Sequence, residues 1–251
     1  NPDDGLLEFL RRQGITVVHA TPGRKNPIAG QSGIFITQGR TAEKMALRPQ
    51  AMLVMNLGES AKESYPGKVT TRMGTAALIR QALQQGKAHA EKPADKDKPV
   101  VANPKLDALA AAATGKMPVL MAAHRADDIL TALRLKKEFN LDLKLALGTE
   151  AYLVLDPIKA AGVPVFLHPP MQRLASSMET MHSYTGSAMV LKKAGIPFAL
   201  GSAFEGCGGS QFLFTMPNPS TTPTTFNSNF NFGNPSRHCI ATIGAKNGGC
   251  V

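Results

Sequence analysis

The chain contains no tryptophan, and its first 206 residues contain no cysteine, the three being Cys207, Cys239 and Cys250. That excludes a disulfide scaffold for the body of the protein and leaves the cysteines silent about redox compartment. No apolar run approaches the roughly 18–20 residues of a membrane-spanning helix, so no membrane association is expected. No cationic, apolar leader opens the chain, which starts Asn1-Pro2-Asp3-Asp4. A processed or partial product in the cytoplasm is therefore the expectation. Nucleotide binding lacks its signatures too: no Gly-x-Gly-x-x-Gly follows the first strand, and no Walker phosphate loop occurs. Residues 207–251 contain no acidic residue at all.

What is present belongs to a globular protein. The 251 residues are 43% hydrophobic and 18% charged, and a chain of this size buries roughly three quarters of its unfolded surface. The net charge is +10. Its cations are spread over helical stretches, as in Arg134-Leu135-Lys136-Lys137, without the aromatic-laced stripe and recognisable module of a nucleic-acid binder. No nucleic acid is expected as a partner, and the basic surface hints at an acidic substrate or partner. Lys92 to Pro99 alternates in sign between prolines and reads as a solvated loop. Residues 1–206 form the body. Residues 207–251, rich in Gly, Ser, Thr, Asn and Pro with scattered Phe, show neither helical nor strand periodicity and read as an irregular tail. Two origins remain open for it, a flexible extension or a shifted reading frame.

The body repeats one phrase. A helix ends at a glycine and a short apolar strand follows, as in Arg12-Gln13-Gly14-Ile15-Thr16-Val17, Ala160-Ala161-Gly162-Val163-Pro164-Val165 and Lys193-Ala194-Gly195-Ile196-Pro197-Phe198. Strands are expected at 15–18, 51–57, 118–123, 143–147, 163–167 and 196–200, with a short one at 34–36. Helices are expected at 6–13, 70–85, 104–113, 127–140, 151–161 and 176–194. The alternation implies right-handed βαβ units and a parallel sheet. Six or seven units point to an α/β protein with an incomplete, (β/α)8 TIM-barrel-like architecture. A barrel short of a strand exposes two unpaired edges, which points to a homo-oligomer.

In such folds chemistry sits at the C-terminal ends of the strands. Those ends carry His19, Glu59, His124, Glu150, His168 and Glu205. Imidazole and carboxylate are the ligands of open catalytic metal sites, where a bound cation lowers the pKa of water and a carboxylate moves the proton. Glu150 equally suits capping of the helix after it. His89, His182 and His238 read as structural or exposed, and Met171, Met178, Met181 and Met189 as core filling.

Three stretches carry a resemblance. They are Gly14-Ile15-Thr16-Val17-Val18-His19 with Pro22-Gly23 and Gly30-Gln31, then Pro118 to Ile129 around His124-Arg125-Ala126-Asp127-Asp128, then Gly148-Thr149-Glu150-Ala151-Tyr152. Over about residues 5–206 the chain resembles the amidohydrolase superfamily, in its imidazolonepropionase-like and Xaa-Pro dipeptidase-like branch. The resemblance implies a metal-dependent hydrolase of a small-molecule substrate. It would use metal-activated water on an amide or cyclic carbon–nitrogen bond, with a divalent cation, zinc foremost. His124 matches a family metal ligand. His19 and His168 are further candidate ligands or carbonyl polarisers, and Glu150 and Glu205 candidate proton shuttles. The family's His-x-His occurs nowhere, Leu147-Gly148 stands where a second single histidine is expected, and Gly201-Ser202-Ala203 where an aspartate is. The first strand and the flanking β-sandwich are thus expected to be missing. Two other readings stay open: a scaffold without a competent metal site, and a small-molecule-binding or isomerase barrel that uses no metal.

Overall fold

The computed structural model describes residues 2–12, 14–63, 71–91, 103–167, 178–201 and 240–244. In chain order its elements are α1 (Gly5–Arg12), β1 (Val17–Thr21), β2 (Ile28–Gln31), β3 (Gly33–Ile36), α2 (Ala42–Met45), β4 (Ala46–Arg48), β5 (Leu53–Asn56) and α3 (Glu59–Glu63). They continue with α4 (Arg72–Glu91), α5 (Pro104–Ala113), β6 (Val119–Ala123), α6 (Ala126–Phe139) and β7 (Leu143–Leu147). After a 3-10 turn at Ala151–Leu153 come α7 (Leu155–Ala160), β8 (Val165–Leu167), α8 (Ser187–Ala194), β9 (Phe198–Leu200) and β10 (Ile240–Gly244).

Two sheets result. The larger has the order β2-β5-β6-β7-β8-β9. Strands β5 to β9 are mutually parallel and adjacent in sequence order, while β2 joins β5 antiparallel. This is the parallel α/β sheet that the helix–glycine–strand phrases imply. The glycines act as expected: Gly14, Gly162 and Gly195 have φ of +81°, +61° and +73°, the left-handed conformation that ends a helix without steric cost.

The smaller sheet departs from expectation. Its order is β10-β1-β3-β4, so the first expected strand does not join the parallel set. Strand β1 runs antiparallel to β3, because only the short stretch 22–32, which contains β2, separates them and leaves no room for a crossover helix. Strand β10 lies within the segment read as an irregular tail and runs parallel to β1, pairing Val17 with Ile240. Pairing supplied by β1 makes a strand of a segment whose own pattern does not demand one.

Alternation within the strands builds the core. Leu53, Met55, Val119, Met121, Leu143 and Leu145 point to the helical layer, where Ile79, Leu83, Leu109, Ile129 and Leu135 meet them. Met52, Val54 and Leu120 point the other way and pack on Val17 and Ile34 of the smaller sheet. A strand covered on both faces reads as a continuous apolar run, which is why β5 and β6 were legible.

Other differences have local causes. Helix α4 does not end at Gly86 but runs through it to Glu91. A Cβ at Gly86 would lie 2.6 Å from the Leu109 backbone, so this glycine allows α4 and α5 to touch. The buried face of α4 is Thr75, Ala76, Ile79, Ala82 and Leu83, and Met73 points to solvent. Met178, Met181 and Met189 are exposed rather than core filling. Among described residues the last helix covers only Ser187–Ala194. His168, Met171, Glu205, His238, the cysteines, the loop at 92–99 and most of the tail lie outside the described residues.

Candidate functional site at the strand ends

The C-terminal ends of β5, β6 and β7 converge on one set of polar groups. At the end of β7, Leu147 and Gly148 both adopt left-handed backbone, with φ of +76° and +51°. For a leucine this costs about 1–2 kcal/mol. The double reversal turns the chain back over β6: the Gly148 amide donates to the Ala123 carbonyl at 3.0 Å, and the Glu150 amide to the His124 carbonyl at 2.9 Å. Thr149 is thereby set beside His124, its Oγ1 2.7 Å from Nδ1.

The other ring nitrogen faces a cation. Arg24 Nη1 lies 3.4 Å from His124 Nε2. A guanidinium can only donate, so Nε2 accepts, Nδ1 carries the proton, and the Thr149 hydroxyl receives it. The loop bearing Arg24 is held by Asn56 at the end of β5, whose Nδ2 donates to the Asn26 carbonyl at 2.7 Å and whose amide donates to that of Pro27 at 2.9 Å.

Glu150 is buried, and both its oxygens are engaged. Oε2 accepts from the Ala126 amide at 2.8 Å, at the N-terminus of α6, and Oε1 accepts from His182 Nδ1 at 2.8 Å. The glutamate does cap a helix, but the one after β6 rather than the turn that follows it in sequence. His182, read from sequence as incidental, belongs to this cluster. Its signal is tertiary, since 32 residues separate it from Glu150.

Beside this pair runs a charged network. Arg72 donates to Glu59 at 3.0 Å and to Asp127 at 3.3 Å, and lies 3.5 Å from Asp128. Glu59 also pairs with Lys62, and its amide donates to the buried Glu179 at 2.7 Å. Hydrogen bonds and charge from Lys62 and Arg72 hold the Glu59 carboxyl below its ordinary range. Burial, opposed by Arg72 but aided by Asp127 and Glu179, lifts Asp128 from 3.8 to about 6. Burial likewise raises Glu179. Asp128 Oδ2 has no hydrogen bond despite its burial.

His19 is placed elsewhere. It sits in β1 of the smaller sheet, buried, with Nε2 2.8 Å from the Ser32 hydroxyl, and burial lowers its pKa from 6.5 to about 4. His124 and Glu150 therefore come together and His19 does not join them, while His168 and Glu205 fall outside the described residues. A groove of about 610 Å³ between β2, α4 and α5 contains none of these groups.

Among the described residues the donors do not compose a site for a divalent cation. Among the described residues no group of three or more His, Cys, Asp or Glu side chains is arranged to hold a metal ion. Nδ1 of His124 is bonded to Thr149, its Nε2 faces a permanent positive charge, and both oxygens of Glu150 are engaged. Catalytic zinc takes about three protein ligands and an open position.

No family model and no curated protein matches the chain. Among solved structures, it is similar to an amidohydrolase from Thermotoga maritima MSB8, with 30% identity and a TM-score of 0.76 over 80% of this chain and 54% of that one. The fold is amidohydrolase-like. The chain spans about half the length of that relative. His124 and Glu150 lie just past the C-terminal ends of β6 and β7, as the strand pattern of the sequence implies. Among the described residues, no helix is long and apolar enough to cross a membrane.

Proposed function

We propose that the chain is a hydrolase of the amidohydrolase type, built on the (β/α)8 plan, acting on an amide or cyclic carbon–nitrogen bond of a small molecule. One observation carries this: 30% identity to a solved amidohydrolase across 80% of the chain. The gathering of His124, Glu150 and His182 where parallel α/β folds hold their chemistry supports it. Arg24 sets a fixed positive charge beside His124, of the kind that stabilises a developing oxyanion. Zinc, in the family pattern, would activate the water. The described donors do not compose its site, and no step here is assigned to it.

A second reading, a relative that keeps the scaffold without a competent metal site, is favoured by the guanidinium at Nε2 of the one matched histidine. The two are separated by assaying purified protein on N-acyl amino acids, dipeptides, lactams and cyclic imides, with and without added zinc, and by measuring bound metal. Turnover lost in a His124→Ala variant supports the hydrolase, and near-stoichiometric zinc adds the metal. No turnover on any member of the panel, with no metal retained, overturns the hydrolase and leaves the scaffold.

A further inference from the structure

Among the described residues two histidine–carboxylate pairs stand at the surface, and they differ in kind. His89 meets Asp107 at 3.0 Å between α4 and α5, and the aspartate side chain is 55% exposed. His182 meets Glu150, whose side chain is 8% exposed, while the imidazole itself is 59% exposed. The Ala126 amide fixes the second oxygen of Glu150, so the carboxylate cannot swing away from the ring. The backbone of His182 is held as well. The Tyr152 hydroxyl donates to its carbonyl at 3.0 Å, and the Tyr152 ring packs on that of Tyr184 with centroids 5.3 Å apart.

A buried carboxylate that accepts from Nδ1 selects the Nδ1–H tautomer and leaves the neutral ring its lone pair on Nε2. With Nδ1 turned to the protein, Nε2 lies on the exposed side. A base held in one tautomer by an immobile acid is the arrangement general-base catalysis needs. The pair also adjoins His124, because the Glu150 amide bonds the His124 carbonyl.

We propose that His182 is a catalytic residue of this site, the general base and then acid for cleavage of an acyl carbon–nitrogen bond, and that Glu150 is its positioning residue. This rests on the hydrolase reading above. Nε2 takes a proton from water as the water oxygen bonds to the carbonyl carbon and the carbonyl π pair moves to oxygen. The tetrahedral adduct then expels nitrogen as the carbon–nitrogen bond breaks. The nitrogen takes the proton from Nε2, giving a carboxylic acid and an amine. Glu150 keeps its hydrogen bond to Nδ1 throughout.

The test uses the full chain, the activated acyl probe p-nitrophenyl acetate and 15N NMR of the histidine rings. His182 is expected in the Nδ1–H form. A His182→Gln variant should release p-nitrophenolate at least tenfold more slowly, with His89→Gln at the wild-type rate. In Glu150→Gln the release should fall and the His182 ring should leave the pure Nδ1–H form. Wild-type release by His182→Gln, or an Nε2–H ring in the wild-type protein, overturns the proposal. So does carbon–nitrogen turnover on the wider panel that His182→Gln leaves intact, and that outcome spares the hydrolase reading. If the panel shows no turnover but ester release depends on His182, the hydrolase reading fails and takes the carbon–nitrogen step with it, leaving only a reactive His182–Glu150 pair.

Discussion

At the scale of single residues, two buried groups pull stability in opposite directions with pH. His19 titrates near 4 in the fold against 6.5 when exposed. Between those values the unfolded chain binds the proton and the folded one does not, so stability falls as pH drops through this window, by about 3 kcal/mol in total. Asp128 titrates near 6 against 3.8. It keeps its proton in the fold where the unfolded chain loses it, so stability falls as pH rises from about 4 to 6. The two slopes oppose each other between about pH 4 and 6, and the raised Glu179 carboxyl adds to the Asp128 side. Asp128→Asn should therefore shift the balance toward His19, so that denaturant midpoints rise more from pH 4 to 6.5 than they do in the wild type. A pH profile in that variant no different from the wild type's would contradict the assigned burial of Asp128. Gly148 gives a second residue-scale expectation. A Cβ there would lie 2.7 Å from Val165 Cγ1, at a φ of +51°. Gly148→Ala should cost about 2 kcal/mol in chemical denaturation and weaken the Thr149–His124 contact.

Whole elements were legible where their own residues suffice to form them. Pro104 to Ala113 is a helix in both reading and structure, with the Asn103 side chain accepting from the Leu106 amide and Pro104 in the first turn. Helix α6 ends one residue early on Asn140, in left-handed backbone with φ of +51°. Helix α4 was misjudged at Gly86 because glycine in a sequence looks the same whether it stops a helix or admits a neighbour. Gly86→Ala separates the two meanings. A free helix gains about 1 kcal/mol from that change, whereas contact with the Leu109 backbone predicts a net loss of about 2 kcal/mol. A raised melting temperature would contradict the close approach of α4 and α5. Strands β2 and β4 escaped the reading because neither Ile-Ala-Gly-Gln nor Ala-Leu-Arg alternates cleanly. Both exist through partners, β5 and β3.

For the molecule as a whole, the larger sheet has β2 and β9 at its edges among the described residues. Unpaired strand edges template further pairing, so the protein should self-associate in a concentration-dependent way in analytical ultracentrifugation. A monodisperse monomer at every concentration would argue against open edges. The net charge of +10 opposes such association, which should grow with added salt as the repulsion is screened.

The amino-acid order by itself determined the alternation of helix and strand, the parallel direction of β5 to β9, and the position of His124 and Glu150 at strand ends. Those follow from local periodicity, glycine caps and the chirality of βα crossovers, all encoded within short stretches of chain. Only the tertiary structure decided that β1 leaves the parallel set and that His19 is buried on Ser32. It alone set Arg24 against His124, and His182 on Glu150. These depend on groups 13 to 100 residues apart. Contacts at such separations arise from packing of finished elements, which no local pattern records.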